Sequence, residues 1–499
     1  MGLARLTSRG QRGMDAYEVI VEIHLAGGLP TFTISGLPAA TVRESRDRVR
    51  AALQTLGSPL PVSRITAHLG PADIPKEGSR FDLPIALGVL KADKRYPWQT
   101  DATEFIGELA LNGELRPVRG VLPAVLAARD AQRAIVIPAA NAPEAALVAD
   151  ATVYPARHLS EVVAHLDESS LLEALQPAPT VPAPYSGLDL ADVRGQIAAK
   201  RALIVAAAGG HNLLLVGPPG AGKSMLAQRL PGLLPPLRVE EMLCVASIAS
   251  IAAQSANEAA LTRRPFRAPH HSASAVALVG GGGSPRPGEI SLAHLGVLFL
   301  DELPEFQRSA LEALREPLES GIITIARSNE TAQFPAAFQL VAAMNPCPCG
   351  YLGDGSDRCR CSQTRLERYR SRLSGPLLDR FDLQVELSPV PLERIAAPAP
   401  DDESAAAARS VDAARERQLT RGGILNARLG DRALWQEVPL GREGRRLLIR
   451  AAERWRLSAR GCTRVLKVAR TIADLAPTPE VTVAHIAEAI QLRCLDRAL

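Results

Sequence analysis

An eight-residue stretch with the pattern G-x-x-x-x-G-K-[ST] constrains this chain more than any other feature. It consists of Gly217, Pro218, Pro219, Gly220, Ala221, Gly222, Lys223 and Ser224. Residues 212–216 before it form an apolar run of strand length, and residues 225–230 after it have helix-forming composition. In a strand–loop–helix, backbone N–H groups and the helix N-terminus converge on phosphate oxygens. The alternative is a glycine-rich turn that matches by chance. The strand and helix favour a site for ATP.

A second stretch, residues 296–302, predicts the rest of a hydrolytic site. It is a buried strand that ends in Asp301 and Glu302. In such a site Lys223 reaches the β- and γ-phosphates, and Ser224 and Asp301 hold Mg²⁺. Glu302 orients or deprotonates the attacking water. The alternative is an ordinary acidic turn, but the order of the two stretches along the chain favours an ATPase.

Length and composition limit the remaining possibilities. The 499 residues, 46% of them hydrophobic and 22% charged, are enough for two to four soluble domains. A net charge of +4 leaves any contact with nucleic acid to local patches. There is no signal-peptide pattern, and the longest apolar run, 202–217, is too short to span a bilayer. We therefore expect a cytoplasmic protein without a membrane partner.

Changes in composition divide the chain into four segments. Residues 1–170 mix strand-like and helical runs and predict an α+β domain. Residues 171–187 include a proline-rich linker, residues 188–395 form the P-loop core, and residues 396–499 are dominated by helical patterning. The predicted fold class is α/β and multidomain.

The N-terminal segment resembles the Lon-protease-like domain of magnesium-chelatase-like ATPases. The resemblance rests on residues 35–37, 42–49 and 75–84. In the proteases, a stretch similar to the last one holds a nucleophilic serine, and a later helix supplies a lysine base. Here Arg80 stands at the nucleophile position, and residues 120–129, which match that helix, contain no lysine. A hydroxyl without a base is a poor nucleophile, so we expect a non-proteolytic domain.

The P-loop core resembles an AAA+ module followed by a helical lid. The resemblance implies that Asn345 is sensor 1, which helps to position the hydrolytic water. Residues 375–382 resemble the arginine-finger segment of magnesium chelatases and MCM helicases, which implies that Arg380 reaches the γ-phosphate bound by a neighbouring subunit. The alternative is an ion pair of Arg380 with Asp379 or Asp382.

The resemblance also implies a sensor 2 arginine in the lid. We favour Arg464, and Arg460 and Arg470 remain rivals that the sequence does not exclude.

Two insertions in the module predict contacts with DNA. Four consecutive glycines, 280–283, predict a mobile loop, and residues 321–331 alternate like a β-hairpin. These insertions resemble the helix-2 insert and the pre-sensor-1 hairpin that line the pore of related rings. That resemblance implies that Arg267, Arg286 and Arg327 grip a phosphate backbone. Surface loops with incidental arginines are the alternative.

A cysteine cluster within residues 347–361 predicts a metal site. Its members are Cys347, Cys349, Cys359 and Cys361. Four thiolates in this CxC-x9-CxC spacing can close a tetrahedral Zn²⁺ site, with disulfides as the weaker alternative. His270, His271 and His294 lack such a pattern, and we expect them to take part in loop packing or substrate contact.

From end to end the chain resembles the ComM/YifB family of magnesium-chelatase-like AAA+ proteins. The matching stretches are residues 266–271, 287–294, 345–350 and 468–475. The resemblance implies a hexameric DNA motor, using ATP and Mg²⁺, that promotes branch migration on single-stranded and branched DNA during natural transformation and homologous recombination.

Two other functional classes remain open. A metal-chelatase motor subunit would have a similar core, but the Lon-like domain and the cysteine cluster argue against it. A regulatory module would use ATP only as an assembly switch, but the pair of Asp301 and Glu302 argues against that.

Overall fold

The computed structural model describes residues 2–94, 96–177, 188–254, 263–282, 285–327, 330–355, 357–391, 393 and 402–493. The chain forms two compact units. The first comprises Met1–Val181, Arg238–Thr262 and Ala326–Phe334, and the second comprises Pro182–Leu237, Arg263–Ile325 and Pro335–Leu499. Most of the proline-rich linker, residues 178–187, lies outside the described residues.

The first unit is built on a mixed seven-stranded sheet in the order β3-β4-β2-β1-β5-β8-β9. Its strands are β1 (Gly2–Arg12), β2 (Asp15–Ala26), β3 (Thr31–Ser35), β4 (Arg64–Gly70), β5 (Thr103–Phe105), β8 (Ala134–Pro138) and β9 (Val153–Ala156), and a separate short hairpin is formed by β6 (Glu108–Leu109) and β7 (Leu115–Arg116). Its helices are α1 (Ala40–Arg43), α2 (Ser45–Thr55), α3 (Asp82–Ala92), α4 (Val121–Asp130), α5 (Ala142–Ala145), α6 (Leu159–Leu166) and α9 (Val239–Ile251), and a 3₁₀ turn spans Ala139–Asn141. Helix α3 is apolar on nearly every side because it is buried against β1 and β2.

Helix α9 belongs to the first unit although its sequence lies between the phosphate loop and Asp301. It packs along α4. The backbone carbonyl of Ser250 accepts from the Gly120 N–H at 3.1 Å, and the Ser250 hydroxyl accepts from the Leu122 N–H at 3.4 Å. A linear reading of the chain does not predict this assignment, because a run of chain from the ATPase core completes the N-terminal unit.

The second unit is built on a five-stranded parallel sheet in the order β11-β14-β17-β10-β18. The strands are β10 (Leu213–Val216), β11 (Phe266–Arg267), β14 (Val297–Leu300), β17 (Gln339–Met344) and β18 (Leu383–Glu386). Strands β10, β14 and β17 are buried along their whole length, as expected of parallel strands covered on both faces. The predicted α/β class with several domains is confirmed.

Helices surround this sheet. Those of the core are α7 (Ile197–Gly209), α8 (Lys223–Leu233), α10 (Ala275–Val279), α11 (Glu289–Leu292), α12 (Arg308–Glu312), α13 (Arg315–Ser320), α14 (Gln363–Arg370) and α15 (Gly375–Leu378), with 3₁₀ turns at Leu190–Asp192 and Leu303–Glu305. Those of the C-terminal lid are α16 (Glu403–Gly422), α17 (Asp431–Glu437), α18 (Arg442–Trp455), α19 (Ala459–Leu475) and α20 (Val483–Gln491), with a 3₁₀ turn at Asn426–Arg428. The lid shares one apolar core with the sheet. In the described ranges, no helix combines the length and the apolar character needed to cross a membrane.

Two short hairpins stand where the insertions were predicted. The first pairs β12 (Gly280–Gly281) with β13 (Arg286–Pro287), and the second pairs β15 (Ile322–Arg327) with β16 (Glu330–Pro335). The prediction that the four-glycine run forms no strand is wrong for its first half. With a φ of 103° and no Cβ, Gly280 lets β13 approach so closely that a Cβ would lie 2.1 Å from the Arg286 carbonyl oxygen.

Candidate active site

The phosphate loop joins β10 to α8 at the carboxyl edge of the parallel sheet. Lys223 begins the helix, and its ammonium group is buried in the loop. The Nζ atom donates to the carbonyl oxygens of Gly217 at 2.7 Å and Pro218 at 3.0 Å, and to Oδ1 of Asn345 at 3.0 Å. Burial lowers the pKa of Lys223. The loop thus brings together the lysine and the sensor 1 asparagine that the sequence predicts.

The two predicted Mg²⁺ ligands also meet. Oγ of Ser224 donates to Oδ2 of Asp301 at 2.7 Å, and Oδ1 of Asp301 accepts from the Glu302 N–H at 2.9 Å. Asp301 reaches this place because β14 and β10 flank β17 in a parallel sheet, so their carboxyl ends share one edge. A hydroxyl beside a carboxylate is the oxygen donor set that suits Mg²⁺ with nucleotide phosphates.

Glu302 has a contact that sequence reasoning missed. Its Oε2 lies 3.2 Å from Nδ1 of His271. Its backbone is left-handed, with a φ of 52°, which is costly for a residue with a Cβ. The signal for this contact is the strand order: His271 follows β11, which lies next to β14 in the sheet.

The four cysteines of the predicted metal site converge in the loop after β17. The Sγ atom of Cys347 lies 3.3 Å from that of Cys349 and 3.8 Å from that of Cys359, and the ligand atoms of all four lie within 4.8 Å of one another. Four sulfurs bound to one Zn²⁺ at about 2.3 Å would be about 3.8 Å apart, so the cluster has the size of a zinc site.

This cysteine loop touches the phosphate loop. A Cβ on Gly350, between the two cysteine pairs, would lie 2.7 Å from Cδ of Pro219. Gly350 has a φ of 87°, so both its conformation and its surroundings favour glycine. The cysteine cluster and the nucleotide loop are therefore in direct van der Waals contact.

The histidines behave as predicted for loop packing. His294 is buried, and its Nδ1 accepts from the Ala337 N–H at 3.0 Å. His270 contacts the hydroxyl of Ser272 at 2.8 Å. Neither belongs to the one group of potential metal ligands found among the described residues.

The predicted finger Arg380 lies at the other edge of the sheet. Asn212, which precedes β10, donates to the Arg380 carbonyl oxygen at 2.9 Å, and Arg380 itself precedes β18. The phosphate loop begins at Gly217, after β10. Five residues of extended chain separate Asn212 from Gly217, which corresponds to about 16 Å. Arg380 and the phosphate loop of one chain thus face opposite edges.

Arg464 lies beside Arg380 at this amino edge. It donates to Oδ1 of Asp382 at 3.0 Å, while Nδ1 of His211 lies 3.2 Å from Oδ2. Burial alone would raise the pKa of Asp382, but His211 and Arg464 together hold it below its usual range. Arg380 pairs with Glu319, and not with the aspartates that the sequence offered as its alternative partners.

These arginines line a cavity of about 600 Å³. Its cationic side chains are Arg380, Arg428, Arg460, Arg464 and Lys467, and its carboxylates are Glu319, Asp382 and Asp431. Burial, together with the proximity of other arginines, lowers the pKa of Arg380. Such a concentration of positive charge is suited to a polyphosphate.

Arg470, a rival for sensor 2, is in a different place. It is buried, and it donates to Oδ1 of Asp474 at 2.9 Å and to the carbonyl oxygens of Thr478 and Pro479. These contacts hold the end of α19 and do not involve the cavity. The geometry thus favours Arg464 or Arg460 over Arg470, and the sensor assignment stays a prediction.

The three candidate DNA contacts differ in their surroundings. Arg267 makes a bidentate pair with Glu289, at 2.7 and 2.8 Å. Arg286 is exposed on β13. Arg327 ends β15, and its side chain lies outside the described part of the chain.

The pocket that holds the catalytic dyad in Lon-like proteases is filled by other groups here. Arg80 is fully buried and donates to the backbone carbonyls of Arg119 and Arg9. Burial lowers its pKa to about 10. The Ser79 hydroxyl is bonded to Glu108. This arrangement is consistent with a non-proteolytic domain, because a buried guanidinium occupies the nucleophile position.

Three family models match the chain. Residues 189–395 match "Magnesium chelatase, subunit ChlI", residues 21–141 match "Subunit ChlI of Mg-chelatase", and residues 401–493 match "Magnesium chelatase, subunit ChlI C-terminal". Together they cover the first unit, the nucleotide core and the lid.

Relatives match over nearly their whole length. Competence protein ComM of Haemophilus influenzae is 48% identical over 510 residues, which are 100% of this chain and 99% of that protein. The protein YifB of Escherichia coli K12 is 46% identical over 502 residues, covering 100% and 98% of the two chains. A relative from Mycobacterium tuberculosis H37Rv is 46% identical over 503 residues, covering 99% of each.

Proposed function

Since this chain belongs to the ComM/YifB family of magnesium-chelatase-like AAA+ ATPases, we propose that it is an ATP-driven DNA motor. Its proposed task is branch migration on single-stranded and branched DNA during natural transformation and homologous recombination. The competence name of the Haemophilus influenzae relative supports this task. The observation that carries the proposal is the placing of two phosphate-binding surfaces, one at each edge of the same parallel sheet.

In the proposed mechanism the phosphate loop holds ATP, with Mg²⁺ between Ser224 and Asp301. Bound Mg²⁺ supplies positive charge that offsets charge developing on the phosphates. Lys223 exchanges its backbone carbonyl acceptors for the β- and γ-phosphates. Glu302 accepts a proton from water as the water oxygen bonds to the γ-phosphorus and the bond to the β-phosphate oxygen breaks. Asn345 helps to position that water.

The charge on the transferred phosphate is stabilised from a neighbouring copy. Arg380 and Arg464 face away from the phosphate loop of their own chain, so they can serve only a nucleotide held by another chain. A head-to-tail contact of this kind closes into a ring when its rotation allows, and we propose a homo-hexamer. The cavity lined by arginines is then the receptor for the neighbour's γ-phosphate.

DNA contacts are proposed for Arg267, Arg286 and Arg327 on the two hairpin insertions. Contacts to phosphates from short loops position a strand without reading its sequence. Arg267 would exchange Glu289 for a phosphate, whereas Arg286 is already exposed.

We further propose that the four clustered cysteines hold Zn²⁺, because their spacing and convergence suit a tetrahedral site. Thiols kept free for metal are typical of a reducing compartment, which favours the cytoplasm.

Branch migration on a synthetic three-way junction tests the proposal. We expect strand exchange that requires ATP and Mg²⁺, and at least a hundredfold loss with Lys223→Ala, since that variant removes the charge that binds the phosphates. The readout is release of a labelled strand, with a fixed four-way junction as second substrate. ATP hydrolysis without any effect of DNA would contradict the motor and favour a chelatase-type or regulatory ATPase.

A further inference from the structure

We propose that His271 is a positioning residue that restrains Glu302 until DNA engages the loop carrying Arg286. The inference rests on the proposed function, since it assigns a regulatory contact to the water-activating carboxylate. It concerns a histidine to which the sequence pattern gave no role beyond loop packing or substrate contact.

The restraint is a direct contact. Nδ1 of His271 lies 3.2 Å from Oε2 of Glu302, and the two side chains are 37% and 53% exposed. An ionised carboxylate only accepts hydrogen bonds, so the imidazole is the donor. The oxygen that would take a proton from water is thereby occupied.

The backbone of Glu302 makes this contact effective. A residue in the left-handed region has few alternative conformations, and Glu302 has a φ of 52° and a ψ of 44°. Its N–H is also bonded to Asp301. The side chain of Glu302 is therefore aimed by a fixed backbone, and changing its partner needs only rotation about the side-chain bonds.

A continuous set of contacts joins His271 to the exposed Arg286. Arg267, four residues before His271, pairs with Glu289, three residues after Arg286. The same Arg267 lies in β11, in register with Leu298 of β14. A phosphate that attracts Arg286, or that competes for Arg267, would shift both ends of the loop that carries His271.

His270 offers a matched control next to His271. Its Nδ1 lies 2.8 Å from the Ser272 hydroxyl, within the same turn, while its ring stacks on that of His271 with centroids 4.0 Å apart. It shares the exposure and chemistry of the loop but bonds Ser272 where His271 bonds Glu302.

The test compares ATP hydrolysis by His271→Ala and His270→Ala in the full-length protein, with and without a single-stranded oligonucleotide. We expect His271→Ala to hydrolyse ATP roughly two- to fivefold faster than wild type without DNA, the change that loss of a half-exposed ion pair can produce. Its rate with saturating DNA should match wild type, so the stimulation by DNA falls by the same factor. His270→Ala should keep the wild-type ratio. An unchanged or lower rate without DNA in His271→Ala, with full stimulation retained, would overturn the inference.

A second measurement does not depend on turnover. Modification of histidines by diethyl pyrocarbonate, followed by mass spectrometry, reports the reactivity of His271 relative to His270. We expect at least a twofold rise at His271 in Glu302→Gln, and in wild type with a non-hydrolysable ATP analogue and the oligonucleotide. Equal reactivity in all three states would refute the restraint. If the wild type does not hydrolyse ATP, the proposed function fails, and this comparison still decides the role of His271.

Discussion

Arg464 and Arg470 lie on one helix, α19, but in different surroundings. Arg464 faces the cavity and pairs with Asp382, whereas Arg470 is buried against Asp474. The sequence could not separate them, because both are basic residues six positions apart with no visible partner. Only the tertiary contacts distinguish a side chain that can meet a ligand from one that holds the fold.

Alanine substitutions should separate these two roles. Arg470→Ala leaves the buried Asp474 with fewer donors, so we expect a loss of about 3 kcal/mol in the free energy of unfolding. Arg464→Ala leaves His211 beside Asp382, so it should cost about 1 kcal/mol in stability but lower the ATPase rate at least tenfold. Urea unfolding and steady-state hydrolysis measure the two effects. A stable Arg470→Ala protein, or an active Arg464→Ala protein, would contradict the assignment.

At the scale of elements, the phosphate loop and the strand before Asp301 could be predicted because their motifs are local. Strand β10, the turn at Gly217–Gly222 and helix α8 lie where the pattern places them. The order of the strands could not be read from the sequence, since parallel neighbours are far apart along the chain. For that reason the contact between His271 and Glu302 was not foreseen, nor was the packing of the cysteine loop on Pro219.

Loss of the metal should be felt at the phosphate loop, because Gly350 rests on Pro219. We expect purified protein to contain one Zn²⁺ per chain and Cys359→Ser to contain none. Hydrolysis should slow about tenfold or more, because a displacement of about 1 Å near the reacting groups can cost about a hundredfold.

Cys244→Ser is the control for this experiment, because Cys244 is a free thiol outside the cluster. It should retain both metal and activity. Native mass spectrometry counts the zinc. A metal-free wild-type protein with full activity would show that the cluster is not a zinc site.

At the scale of the whole molecule, the catalytic parts are divided between two edges of one sheet. The phosphate loop follows β10, and Arg380 precedes β18, so no single chain can bring them to one nucleotide without rebuilding the sheet. The sequence predicted a contribution from a neighbour by resemblance alone. The parallel register of β10 and β18 gives the physical reason for it.

Complementation between two inactive variants tests this division most directly. Lys223→Ala loses the phosphate loop's cation, and Arg380→Ala should lose about a thousandfold or more in hydrolysis. In a random equal mixture, one interface in four combines an intact phosphate loop with an intact Arg380, so we predict recovery of about a quarter of the wild-type rate. An Arg380→Ala protein that hydrolyses ATP at the wild-type rate by itself, with no gain on mixing, would contradict the shared site.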